Sequence, residues 1–176
     1  MSFEQWGILA EIVASLATVG ALVGLTLEMR KSRQIENRQV IFDTDEKWES
    51  LREERKLCHA MYWDDYEDFN QKYQFGDKKY FRAYSSVINF FEMLSETSHL
   101  GMVDRKMTVR FWGQIAVYWW ELFKDIQLAK RDDRTPYASE ELEWLSNEVL
   151  KKNPEFARNA QATHAERFAR LREAKT

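Results

Sequence analysis

The chain opens on an apolar run and then settles into polar and apolar positions at helical spacing. Between Trp6 and Leu27 there are 22 residues with a single charge, Glu11, and the cluster Arg30, Lys31, Ser32, Arg33 follows at once. At about 1.5 Å per residue a helix of that length reaches about 33 Å, enough for a bilayer core of about 30 Å. The pattern predicts a transmembrane helix. Its strictly uncharged part, residues 12–27, also has the length of a buried core helix, which is the alternative reading.

Residues 28–63 contain neither Gly nor Pro and are rich in Glu, Arg, Lys and Gln, which predicts one long helix or two. Asp43, Thr44 and Asp45 offer a cap for a second helix from Glu46. Tyr80, Tyr84, Val87, Ile88, Phe91, Leu94 and Ser98 form one stripe, predicting a helix over 77–100 that ends on Gly101. Asp104 caps the next, which reaches about Lys130. Its broad apolar face is Phe111, Trp112, Ile115, Tyr118, Trp119, Leu122, Phe123 and Ile126. With Val117 and Trp120 on other sides, it is expected at the centre of a bundle. Ser139, Glu140 and Glu141 start a short helix with Leu142, Trp144, Leu145 and Val149 inward, and Asn153-Pro154 opens a last one. That last helix is Arg-rich, with a weak stripe of Phe156, Ala160, Phe168 and Leu171 and an end expected to fray.

No sustained alternation signals a sheet, and no internal repeat or low-complexity tract is present. The expected fold class is therefore all-α: an N-terminal single transmembrane helix followed by a cytoplasmic bundle of about four to five helices. The expected divisions are an anchor over 1–29, a helical stalk or first bundle helix over 30–63, and the bundle with its polar last helix over 64–176.

Charge sharpens this picture. The chain carries 26 Lys and Arg against 29 Asp and Glu, and three of the acids (Glu4, Glu11, Glu28) fall in the first 29 residues, which hold no Lys or Arg. Residues 30–176 are thus formally neutral, so no nucleic-acid partner is expected. Acids before the apolar run and bases after it reverse the order of a cleavable signal peptide. Basic residues stay on the cytoplasmic side, so Arg30, Lys31, Arg33 and Arg38 predict an outside N-terminus and a cytoplasmic body, or contact with lipid headgroups. The lone cysteine, Cys58, excludes an internal disulfide framework.

Candidate chemistry is sparse. Ala10, Ala14, Ala17, Ala21 and Gly24 line one face of the first helix, and Gly20 with Gly24 makes a small-xxx-small motif suited to packing in lipid. Glu11 is the one acid inside the span; near its outer end it is either hydrated or gathered into an oligomer. Glu92, Glu96 and His99 share a helix face and are weak metal candidates, because the second Glu-x-x-His pair of a dimetal bundle is missing. Cys58 and His59 point apart as helix neighbours, and residues 64–68 read as a charged helix start rather than a calcium loop. No phosphate loop, serine elbow or paired-cysteine zinc motif is present, so no catalytic residue and no cofactor is assigned.

The stretch from Val87 to Leu94, then His99-Leu100-Gly101-Met102-Val103-Asp104, Trp119-Trp120, and Tyr137 with Leu142-Glu143-Trp144-Leu145, resembles a family of small single-pass bacterial membrane proteins catalogued only as a domain of unknown function. The resemblance implies a bacterial inner-membrane location and supplies no activity. The expected function is an interaction or accessory subunit that assembles through the small-residue face and an aromatic-rich bundle. Its expected partners are the lipid bilayer and either further copies of itself or other membrane-protein subunits. A homo-oligomeric pore using Glu11 and a metal-dependent helical enzyme are the alternatives.

Overall fold

A computed structural model describes the backbone of residues 3–133 and 135–174, and the side chains of residues 22–32, 35–36, 39–133 and 135–174. Among the described residues there are seven α-helices, one π-helical turn and no strand: α1 (Phe3–Ser50), α2 (Arg52–Ala60), α3 (Tyr66–Phe69), the π-helical turn Asn70–Gln74, α4 (Lys78–His99), α5 (Arg105–Asp133), α6 (Glu140–Leu150) and α7 (Glu155–Glu173). The chain divides into two compact units, residues 1–42 and 43–176.

The all-α expectation holds, but the anchor-plus-bundle fold class does not. Among the described residues no helix is long and apolar enough to cross a membrane. In the described part of α1 the apolar run is residues 22–27, and Glu28, Arg30 and Lys31 break it in the next turn. The rest of the expected span, residues 6–21, lies outside the described side chains. The helix continues to Ser50, past the candidate break at Asp43 to Asp45.

The second unit follows its caps and stripes closely. Asp77 accepts the Lys79 N–H at 3.0 Å to start α4, and Gly101, at φ 74°, takes the left-handed position just past its end. Asp104 accepts the Met107 N–H at 2.9 Å to start α5, and Asp65 accepts the Asp68 N–H at 2.9 Å to start α3. Helix α5 is central, packed against α3, α4, α6 and α7. Its Trp112, Trp119, Trp120, Leu122, Phe123 and Ile126 are buried, while Phe111, read from sequence as part of the same face, stands 53% exposed.

The aromatic residues that suggested a docking surface mostly form the core. Trp48, at the end of α1, sits 5.0 Å from Phe90, 5.2 Å from Phe91, 5.9 Å from Trp112 and 6.0 Å from Trp119 by ring centroids. Edge-on and tilted geometries of this kind add about 0.5–1.5 kcal/mol per pair to the burial itself. Helix α7 is fastened from three points. His164 Nε2 donates to the Tyr118 carbonyl at 3.0 Å, Phe168 packs edge-on against Trp63 at 5.0 Å, and Arg167 Nη1 donates to the carbonyls of Cys58 and His59 at 3.0 and 3.1 Å. The guanidinium thereby satisfies two carbonyls at the C-terminal end of α2, where a cation is also favoured by the helix dipole.

Candidate functional site

Two depressions of opposite character open in the second unit. The first is a groove of about 500 Å³ between the end of α1, α2 and the middle of α5. Trp48, Ile115, Tyr118 and Trp119 form its floor, and Arg52, Arg55, Lys56 and His59 its wall; among the described residues no acidic one lines it. The cations fall on one side because Arg52, Arg55, Lys56 and His59 recur at three- and four-residue spacings along α2. Arg55 lies 4.3 Å above the Trp48 ring, its Nε buried and without a hydrogen-bond partner. Glu49, just outside the groove, meets both Arg52 at 2.7 Å and Arg55 at 3.1 Å, so one carboxylate faces two guanidinium groups. Lys56 pairs with Glu53 at 2.7 Å in an exposed contact that solvent and salt screen.

His59 adds polarity but no charge. Burial, together with the Arg167 guanidinium, pushes its pKa down to about 4, and its Nδ1 is hydrogen-bonded with the Tyr118 hydroxyl at 3.3 Å. The groove therefore holds three fixed cations beside a neutral imidazole, over aromatic and aliphatic surface. That arrangement suits a ligand with carboxylate or phosphate groups and an apolar portion.

The second depression, a cleft of about 930 Å³, runs between α3, the π-helical turn, α4 and the end of α5. Among the described residues its lining includes Glu67, Glu92, Asp132 and Asp133 but a single cation, Lys130. Lys130 Nζ donates to the Tyr84 hydroxyl at 2.9 Å and lies 4.5 Å from the Tyr84 ring and 5.3 Å from the Phe81 ring. No carboxylate pairs with it among the described residues. Burial brings its pKa down to about 8. The fully buried Tyr84 hydroxyl also accepts from Gln127 Nε2 at 2.6 Å, and burial pushes its pKa up. Asn70 Oδ1, likewise buried on the wall of the cleft, has no hydrogen-bond partner.

The sequence-predicted site residues are put to other uses or fall outside view. Glu92 accepts the Leu142 N–H at 2.9 Å and so caps the start of α6. His99 stacks on Trp144 with centroids 4.5 Å apart, and its Nδ1 is hydrogen-bonded with Glu141 at 3.0 Å. Both thus join α4 to α6, while Glu96 is exposed. Among the described residues no group of three His, Cys, Asp or Glu is placed to hold a metal ion. Cys58 is buried, and its thiol pKa rises to about 12 through burial. The side chains of Ala10, Glu11, Ala14, Ala17, Gly20, Ala21, Arg33 and Arg38 lie outside the described residues. Gly24, Arg30 and Lys31 are described and exposed, and a Cβ built on Gly24 meets nothing within 4 Å. Lys130 and His59 were not singled out as a site by sequence, because their partners Tyr84 and Tyr118 stand 46 and 59 positions away.

The second unit is an all-helical unit with an aromatic core and two polar depressions, an architecture that by itself assigns no activity. The chain matches over residues 9–149 the family described as a domain of unknown function, DUF4760, and belongs to it. The family part of the resemblance drawn from the packing motifs is therefore correct, whereas its single-pass membrane part finds no support among the described residues. No curated protein and no solved structure matches the chain.

Proposed function

We propose that this chain is an interaction or accessory module that docks an acidic segment of a partner protein on the basic groove of its second unit. One observation carries the reading: Arg52, Arg55 and Lys56 converge on a groove floored by Trp48, Ile115, Tyr118 and Trp119, with no acid among the described residues of its lining. Carboxylates of the partner compete for guanidinium groups now shared through Glu49, and an apolar side chain beside them covers the floor. The buried remainder of the aromatic core is the rigid support for that surface rather than the surface itself.

The test is titration of a Glu-rich peptide bearing one Phe, followed by fluorescence anisotropy, against the wild-type chain and an Arg52→Glu/Lys56→Glu variant. Both positions are well exposed, so the variant keeps the fold. Reversing both cations replaces two attractions by two repulsions and weakens binding at least about severalfold at low salt. Binding of the wild type also weakens on going from about 0.05 M to about 0.3 M salt, as screening requires. Equal affinity of the two proteins at low salt contradicts the reading.

A further inference from the structure

The acidic cleft carries a group that packing alone leaves unexplained. Lys130 sits at the end of the central helix with its ammonium over two aromatic rings, a single hydrogen bond to Tyr84 and no ion pair among the described residues. A lysine needed only for helix-end electrostatics or solubility reaches water, as the flexible four-carbon stem readily allows. Here the amine is held inward instead, and it lines a cleft of about 930 Å³ through which small molecules reach it.

We propose that Lys130 is a carbonyl-reactive amine, and that the cleft admits an aldehyde or ketone with which Lys130 condenses to an imine. The Nζ lone pair attacks the carbonyl carbon, the carbonyl π pair moves to oxygen, and a proton passes from nitrogen to that oxygen to give a carbinolamine. Loss of water then forms the C=N bond, so amine and carbonyl become imine and water with no oxidant or reductant consumed. One N–H of the amine is held on the Tyr84 oxygen, and Lys130 lines the cleft from which the carbonyl would approach. Tyr84 itself is fixed by the Gln127 amide, which holds the acceptor in place.

The groups around the amine act in opposite directions. Phe81 and Tyr84 on α4 cover the ammonium and disfavour its charge through burial, which sets the direction of its shift. Glu67 on α3, Glu92 on α4, and Asp132 and Asp133 beside Lys130 on α5 line the same cleft and favour the ammonium, but none pairs with it among the described residues. With its pKa at about 8, the amine is about a hundredfold more often neutral near pH 7 than an ordinary lysine. This proposal stands apart from the basic groove, since the two sites share no residue.

The experiment is reductive alkylation of the intact full-length chain with pentanal and cyanoborohydride, stopped early and read by peptide mapping. Lys130 is expected to be alkylated at least about tenfold faster near pH 7 than the exposed Lys56 and Lys151, after allowance for the weaker nucleophilicity of a less basic amine. Its rate should level off above about pH 8, while the exposed lysines keep rising past about pH 9. Unfolding the chain in urea removes the difference. Alkylation of Lys130 at or below the rate of the exposed lysines in the folded chain, or a Lys130 rate that rises with theirs past about pH 9, overturns the proposal.

Discussion

Two histidines of the second unit are held in the neutral form. Burial lowers the pKa of His164, whose Nε2 donates to the Tyr118 carbonyl while its Nδ1 is buried without a partner. Burial and Arg167 bring His59 to about 4. In the unfolded chain both groups take up protons near their ordinary value of about 6.5. The unfolded state therefore binds more protons as pH falls through that value, and stability present above about pH 6.5 drains away toward about pH 4. Urea midpoints measured between about pH 7 and about pH 5 should fall steadily, and His164→Gln should flatten the slope. A midpoint that stays constant over that range contradicts the assignment. His164, the buried one of the two, was not legible as a buried neutral group in sequence. His164 follows Ala160 and precedes Phe168 at four-residue spacing, a signal that places it on the inner face of α7 but says nothing of Tyr118, 46 positions away.

At the scale of elements, the caps were the most legible feature, because an N-cap is a local chemical event between residues two or three apart. Asp104 and the acidic start at residues 64–68 act where their spacing placed them, whereas the cap offered at Asp43 to Asp45 is unused because α1 runs through it, and Asn153 gives way to Pro154 at the start of α7. What was not legible is how elements lock together, since that depends on pairs distant in sequence. Gly113 of α5 is one such lock: a Cβ built there would stand 2.5 Å from Val149 Cγ2 on α6. Gly113→Ala gains helix propensity yet overpacks this crossing, so it should lower stability by about 1–3 kcal/mol despite the propensity gain. Combining it with Val149→Ala should recover part of the loss; a Gly113→Ala protein that melts at or above wild type refutes the close approach. Arg167 is the second lock. Arg167→Met removes the side-chain donor from the His59 carbonyl and one of two donors from the Cys58 carbonyl, which keeps the Met61 N–H, and should cost about 1 kcal/mol. Amide exchange over α7 should rise before that over α5, and uniform protection in the variant would show that α7 is held by other contacts.

The whole molecule departs most from expectation at its first helix. An apolar run following a pattern of acids and then bases reads as a span when charge order alone is available, but α1 continues through Glu28, Arg30 and Lys31 to Ser50. Trp48 at its end belongs to the second unit, where it meets Phe90, Phe91, Trp112 and Trp119. The aromatic content was legible as core material, and its depth was not: exposed and buried aromatics share one helical spacing, and only the packed partners separate Phe111 from Trp112. The two depressions lay beyond sequence altogether, because each gathers residues from three or more elements. Their chemistry underlies the two proposals for the second unit of this DUF4760 protein, a basic groove for an acidic partner and, separately, a reactive amine lining a cleft.

The most direct test of the interaction reading is the native mass of the protein purified gently from its own cell, with every co-purifying chain identified and the measurement repeated on Arg52→Glu/Lys56→Glu. The reading predicts a complex with a protein carrying an acidic segment, lost in the variant while the melting temperature stays within about 1 °C of wild type. A complex that survives the double charge reversal intact, or a wild-type protein that carries no partner at all, contradicts it.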